Sequence, residues 1–341
     1  MSAAAPARAA ALVVLGGVVA ALQVGKLPPA LPVLQAELGM SLVQSGFLLS
    51  MVQMAGMLVA ILVGLAADQL GLKRSMVGGL CLLALASALG SLAAAPWMLL
   101  GMRALEGMGL LLTVLPAPAL LRRLVSPARL PGMMGVWGAY MPLGTALALL
   151  VGPFFIPAWG WPLWWDLFAF VSALMAWALW RVLPTDPPAQ AAQALQLGAR
   201  LAQTLRHSGP WLVALIFAVY AAQWLAVIGF LPSIYAQAGL SGAAVGLLSA
   251  GAAMVNMVGN LLSGRLLQRG WRPHRLLWLG LASMATGTTL AFAEATSAWP
   301  WLRYGGVLLF SSLGGLVPGT LFWLAVRLAP GERQVAATVG W

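Results

Sequence analysis

Arg103 and Glu106 stand three residues apart in an apolar run, Leu99-Leu100-Gly101-Met102-Arg103-Ala104-Leu105-Glu106-Gly107-Met108-Gly109. On a helix that spacing puts both on one face, where they can pair. Ions inside apolar helices are costly, face the bundle interior and mark solute or proton paths. A pair that only fixes helix packing is the other reading. Lys26 follows Gln23 and precedes Pro28-Pro29. It could attract an anion or snorkel outward to the membrane surface. Tyr220, Gln223 and Trp224, with Asn256 and Asn260 four apart, are further polar groups in apolar runs. Each could line a solute path or hydrogen-bond a neighbouring helix. Cys81 is the single cysteine, so no intrachain disulfide can form, and it reads as a small packing residue. There is no Walker A sequence, H-E-x-x-H, G-x-S-x-G or Cys/His cluster. No cofactor, metal site or enzyme activity is expected.

The elements that must position these groups are membrane helices. Of the 341 residues, 62% are hydrophobic and only 7% charged. A soluble domain carries about 25% charged residues, so this composition cannot cover a water-facing surface. Ten segments have the roughly 20 apolar residues a span needs: Ala10–Leu34, Leu42–Ala67, Ser75–Ala94, Trp97–Leu121, Leu130–Ile156, Pro162–Leu183, Pro210–Ala236, Gly242–Leu267, Leu276–Ala293 and Trp299–Leu328. None alternates as a barrel strand would, so each must be a helix that satisfies its own backbone in lipid. Span one continues from Arg8 without a cleavage pattern and reads as retained. The polar stretch 184–208, opening with Pro184, Pro187 and Pro188, separates residues 1–183 (six spans) from 209–341 (four). Ala194, Leu197, Leu201 and Leu205 within it have the spacing of an interfacial helix; a loosely ordered loop fits equally.

The net charge of +11 forms no nucleic-acid patch. Every Lys and Arg except Lys26, Arg103 and Arg303 falls on one side of the ten-span arrangement. By the positive-inside rule that side, with the N-terminus and the 184–208 segment, is cytoplasmic. Trp97, Trp159, Trp161, Trp164, Trp165, Trp299 and Trp301 mark the other surface, with Asp166 among them at the interface.

Between spans two and three the chain reads Gly64-Leu65-Ala66-Ala67-Asp68-Gln69-Leu70-Gly71-Leu72-Lys73-Arg74. Gly64 permits close helix approach and Gly71 a tight turn. Lys73 and Arg74 can meet an acid or lipid phosphate. The segment resembles the conserved loop of the major facilitator superfamily, roughly G-x-x-x-D-x-x-G-x-[RK]-[RK]. The resemblance implies that Asp68, Lys73 and Arg74, with Gly64 and Gly71, form a conformational switch holding the outward-facing state. A simple topology anchor is the plainer alternative. Span four is similar to a family motif linked to proton transfer, an arginine followed by glycines, with Glu106 where Gln is frequent. Span five carries Gly135, Gly138, Gly144 and Gly152-Pro153. That is only part of the family's antiporter motif, and helix packing explains it nearly as well. The loop between spans eight and nine, Gly264-Arg265-Leu266-Leu267-Gln268-Arg269-Gly270, reads as a degenerate repeat with Gln268 near the acid's place.

The resemblance implies an all-α membrane protein of the major facilitator fold, two bundles around a central cavity. Spans one, four, seven and ten should line it. The expected function is secondary transport of a small solute by alternating access, coupled to protons, in the bacterial inner membrane. Arg103 and Glu106 are the expected coupling or binding pair, with Lys26, Gln23, Tyr220 and Gln223 as lining residues. Lys26 and Arg103 lean the substrate toward a small anion, and overall likeness to the cyanate and nitroimidazole branch points the same way without a substrate motif. Drug or metabolite efflux is the alternative, and a non-transporting sensor is another class. The partners expected are solute, proton and lipid bilayer, with no nucleic acid. Residues 335–341 read like the start of another span, so the family's last two helices are expected to be missing. The chain should act as a monomer unless another completes it.

Overall fold

A computed structural model describes residues 4–41, 43–52, 70–186 and 206–329, all secondary structure among them being helical. The helices follow the apolar runs closely, because in lipid each run must satisfy its own backbone. Span one is two helices, Ala4–Gly25 and Leu27–Leu38, broken at Lys26 just before Pro28 and Pro29. Span two is described only over Val43–Val52. Spans three and four are Leu72–Gly90 and Pro96–Val114, the latter extended by Ala117–Leu124 beyond Pro116.

Spans five and six run from Leu130 to Val182 with a break at Gly160, whose φ of 81° lies in the left-handed region that glycine tolerates. Span seven is Ser208–Gln237. Span eight divides at Val255 into Gly242–Met254 and Asn256–Gln268. Span nine is Pro273–Phe292, and span ten divides at Gly315 into Pro300–Gly314 and Leu316–Leu328. The interfacial-helix reading of 184–208 and the stub at 335–341 fall almost wholly outside the described residues.

Spans one, three, four and six pack with span five as one bundle; spans seven to ten form the other. The buried core divides accordingly, although Val326 of span ten joins the first cluster and Ala146 of span five the second. Two apolar surfaces in lipid gain little hydrophobic energy by meeting, so backbone proximity through small residues carries the packing. A Cβ on Gly79 of span three would come within 2.7 Å of the Gly109 carbonyl of span four. One on Gly287 of span nine would meet the Gly306 carbonyl of span ten at 2.6 Å.

Span five shows why its glycines are spaced as they are. Gly144 and Gly152 close on span one, against Val18, Ala21 and Pro29. Gly135 and Gly138 face the other bundle, where they meet Asn260 and Gly264 of span eight and Gly319 of span ten. One end of the helix therefore ties a bundle together and the other forms the seam between bundles.

Candidate functional site

The break at Lys26 turns that side chain inward. The snorkelling reading is overturned: Lys26 is 0% exposed, with Arg103 and Glu106 at 1% each. Lys26 Nζ donates to Glu106 Oε1 at 2.6 Å and to Ser87 Oγ of span three at 2.5 Å. Arg103 Nη1 donates to Glu106 Oε2 at 2.5 Å, so one carboxylate is held between two cations. Geometry explains the inward turn, because snorkelling needs a free path to the surface. Here Trp165 lies 4.6 Å below the ammonium and Trp164 donates to the Lys26 carbonyl at 3.0 Å.

Gln23 belongs to the same group. Its Nε2 donates to Ser172 Oγ of span six at 3.0 Å, and its Oε1 accepts from Ser87 at 3.2 Å. Arg103 also donates to the Gln23 carbonyl at 2.8 Å. The pair anticipated within span four is thus part of a buried network joining spans one, three, four and six. It carries two positive charges and one negative. Ser87 and Ser172 gave no sequence signal beyond being small in apolar runs, whereas Trp161, Trp164 and Trp165, read from the sequence as surface anchors, are buried because spans one, three and six close around them.

Tyr220 and Gln223 belong to a second group, in the other bundle. Tyr220 is buried and its hydroxyl donates to Asn256 Oδ1 at 3.4 Å. Gln223 is half-buried one turn further along. Asn256 Nδ2 donates to the Ser311 carbonyl of span ten at 2.8 Å, and Asn260 Nδ2 to Asn256 Oδ1 at 2.9 Å. The Asn260 amide oxygen is buried without a partner among the described residues, as is Trp137 Nε1. Aromatic rings continue the seam: Trp137 stacks on Tyr140 at 4.4 Å and meets Phe322 of span ten at 6.4 Å. Phe322 in turn meets Phe217 of span seven at 6.0 Å.

At the basic end, Gly64 and Asp68 lie outside the described residues. Gly71 has φ 99° and starts span three. The carboxylate of Asp186, after span six, accepts from the backbone N–H groups of Lys73 and Arg74, both at 3.0 Å. Lys73 Nζ donates to the Leu183 carbonyl at 2.6 Å. Asp186 thus caps span three from a distance of 113 residues in sequence, which only the fold could reveal. The predicted consequence is that Asp186→Ala lowers stability by about 1 kcal/mol, with a smaller loss in Asp186→Asn. A thermal melt in detergent that leaves both variants at the wild-type midpoint would remove the cap from the account. In the repeat loop, Gln268 reaches across to Gly132 at the start of span five. The third cation off the basic side, Arg303, donates to the Ala293 carbonyl at 2.9 Å and so ties the turn between spans nine and ten.

A family model, the Major Facilitator Superfamily, matches residues 13–340. No curated protein matches in sequence. Among solved structures, the fold is similar to a major facilitator proton:xylose symporter, XylE, bound to 6-bromo-6-deoxy-D-glucose. The TM-score is 0.77 at 15% identity, over all of this chain and 86% of that one. At that identity the likeness concerns the fold alone.

Proposed function

The chain belongs to the major facilitator superfamily, a family of non-enzymatic, multi-pass membrane transport proteins, and from that premise we propose a proton-coupled transporter that moves a small anion by alternating access. The observation that carries the proposal is the sealed Lys26–Glu106–Arg103 group. Glu106 is the one carboxylate in it, and so the proton acceptor. Lys26 and Arg103 are its two cationic partners while the network is closed. Parting from span one would remove Lys26, leave the carboxylate only Arg103 of its own helix, and open it to the coupled proton. The group's excess positive charge favours an anion as the entering solute, since a buried charge without a counter-charge is costly.

In this reading residues 1–183 and 209–341 rock against each other about the seam of spans five, eight and ten. The 184–208 segment connects them, and Gly64, Asp68, Gly71, Lys73 and Arg74 act as the switch. The basic end faces the cytoplasm of a bacterial cell, with the protein in its inner membrane. Efflux of a drug or metabolite is the second reading. The aromatic chain Tyr140, Trp137, Phe322 and Phe217 across the seam favours it, because such rings bind aromatic or cationic solutes.

Proteoliposomes with an imposed pH gradient separate the two. A panel of small inorganic and carboxylate anions should show flux that follows the gradient and collapses with a protonophore. Flux confined to aromatic cations would shift the assignment to efflux. Absence of gradient-dependent flux for every solute would end both.

A further inference from the structure

Spans three and six touch at both ends and part between. Asp186 closes on Gly71 at the basic end, and Trp165 on Gly90 at the other. Between these contacts lies an apolar groove of about 670 Å³. Val77, Cys81, Ala84, Leu85 and Ala88 form one wall, at helical spacing; span six gives the other, from Ala169 to Trp180. Cys81 is exposed there, which corrects its reading as a small packing residue: among the described residues its side chain faces the groove. Met76 and Leu179 close against Gly16 of span one. The groove has no polar side chain to hold a solute, and it opens outward from the first bundle, away from the seam.

Two features identify an occupant. Val77 to Ala88 covers about 16 Å of helix, close to the roughly 15 Å hydrocarbon depth of one leaflet. The groove also ends in arginines at the basic end only. Arg181 lies over Trp177 and Trp180, at 5.6 and 5.8 Å from their rings, which line the groove. Arg74 is exposed one turn before Val77 on the same face of span three. The Asp186 carboxylate accepts from the Arg74 backbone N–H rather than from its side chain.

We propose that this groove is a specific site for an anionic phospholipid of the leaflet at the basic end. One acyl chain lies along Ala84, Ala88 and Ala173, and the headgroup phosphate meets Arg181 and Arg74. Small side chains leave the hollow that the chain fills, and the tryptophans hold Arg181 over its mouth. Other faces of the bundle contact lipid too, but a convex apolar surface gives a headgroup no preferred place.

Native mass spectrometry of the full chain, titrated with phosphatidylglycerol and phosphatidylcholine of matched chains, tests this. Phosphatidylglycerol should bind first, and Arg74→Gln and Arg181→Gln should each reduce the preference about fivefold. Ala173→Phe, which fills the groove and alters no charge, should remove the tightest adduct for both lipids. Glycerol phosphate without chains should not compete; if it does, the site binds free phosphate rather than a lipid. Equal binding of the two lipids by the wild type, or a tightest adduct that survives Ala173→Phe, would overturn the assignment. Each variant sits on an outward face, and its thermal midpoint relative to wild type verifies that it has folded.

Discussion

Glu106→Gln is expected to reduce gradient-driven flux in proteoliposomes to background and to lower the protein's yield. The substitution leaves Lys26 and Arg103 buried together with no anion between them. Removing one partner of a buried ion pair costs on the order of 3–5 kcal/mol, because the remaining charge stays desolvated. Lost flux alone could therefore reflect failed folding. The double variant Lys26→Met/Glu106→Gln separates the two causes. It removes the repulsion between two unpaired cations and leaves Arg103 alone with its bond to the Gln23 carbonyl, so part of the lost stability should return. If Glu106 carries the coupled proton, flux stays at background although the protein folds. Recovery of flux together with stability would reduce the triad to a packing device.

The second large effect is expected at the seam between bundles. A Cβ on Gly135 would lie 2.5 Å from the Asn260 carbonyl and 3.0 Å from Gly264 Cα, both backbone atoms that cannot rotate away. Gly135→Val must push spans five and eight apart. Overpacking of this kind costs about 1–3 kcal/mol. Because the cost falls only on the arrangement in which the seam is closed, it should shift the population toward the open one by about 5–150-fold. Asn260 is buried against Gly138 of span five in the closed seam. In a Cys81→Ala background, Asn260→Cys should become reactive to a membrane-impermeant thiol reagent when Gly135→Val is added, while flux falls. Unchanged reactivity would mean that spans five and eight do not part here during the cycle.

Much of the fold was legible because the bilayer leaves so few solutions. With only 7% charged residues the chain had to be helical and membrane-spanning. The apolar runs ending at Ile156 and starting at Pro162 required a connection between them, and the structure makes it at Gly160 in the left-handed region. The spacing of Arg103 and Glu106 was enough to pair them, since a helix fixes which residues share a face. The loop from Gly64 to Arg74 and the family model over residues 13–340 agree on the superfamily.

What sequence periodicity could not supply was direction across the bundle. It identified Lys26 as a cation ahead of Pro28-Pro29 but not the helix break there, nor whether its side chain faced lipid or the interior. The meeting of spans one, three, four and six around Ser87 and Trp165 decided that. Asp186 and Gly71 are far apart in the chain, and their contact exists only because spans three and six lie side by side. The glycines of span five read as one motif, yet the packing divides them between span one and the opposite bundle. A span's own hydrogen bonds are local, so its sequence determines that it is a helix. Contacts between spans depend on close fit rather than on a hydrophobic gradient, so which neighbour each face meets is decided only by the assembled bundle.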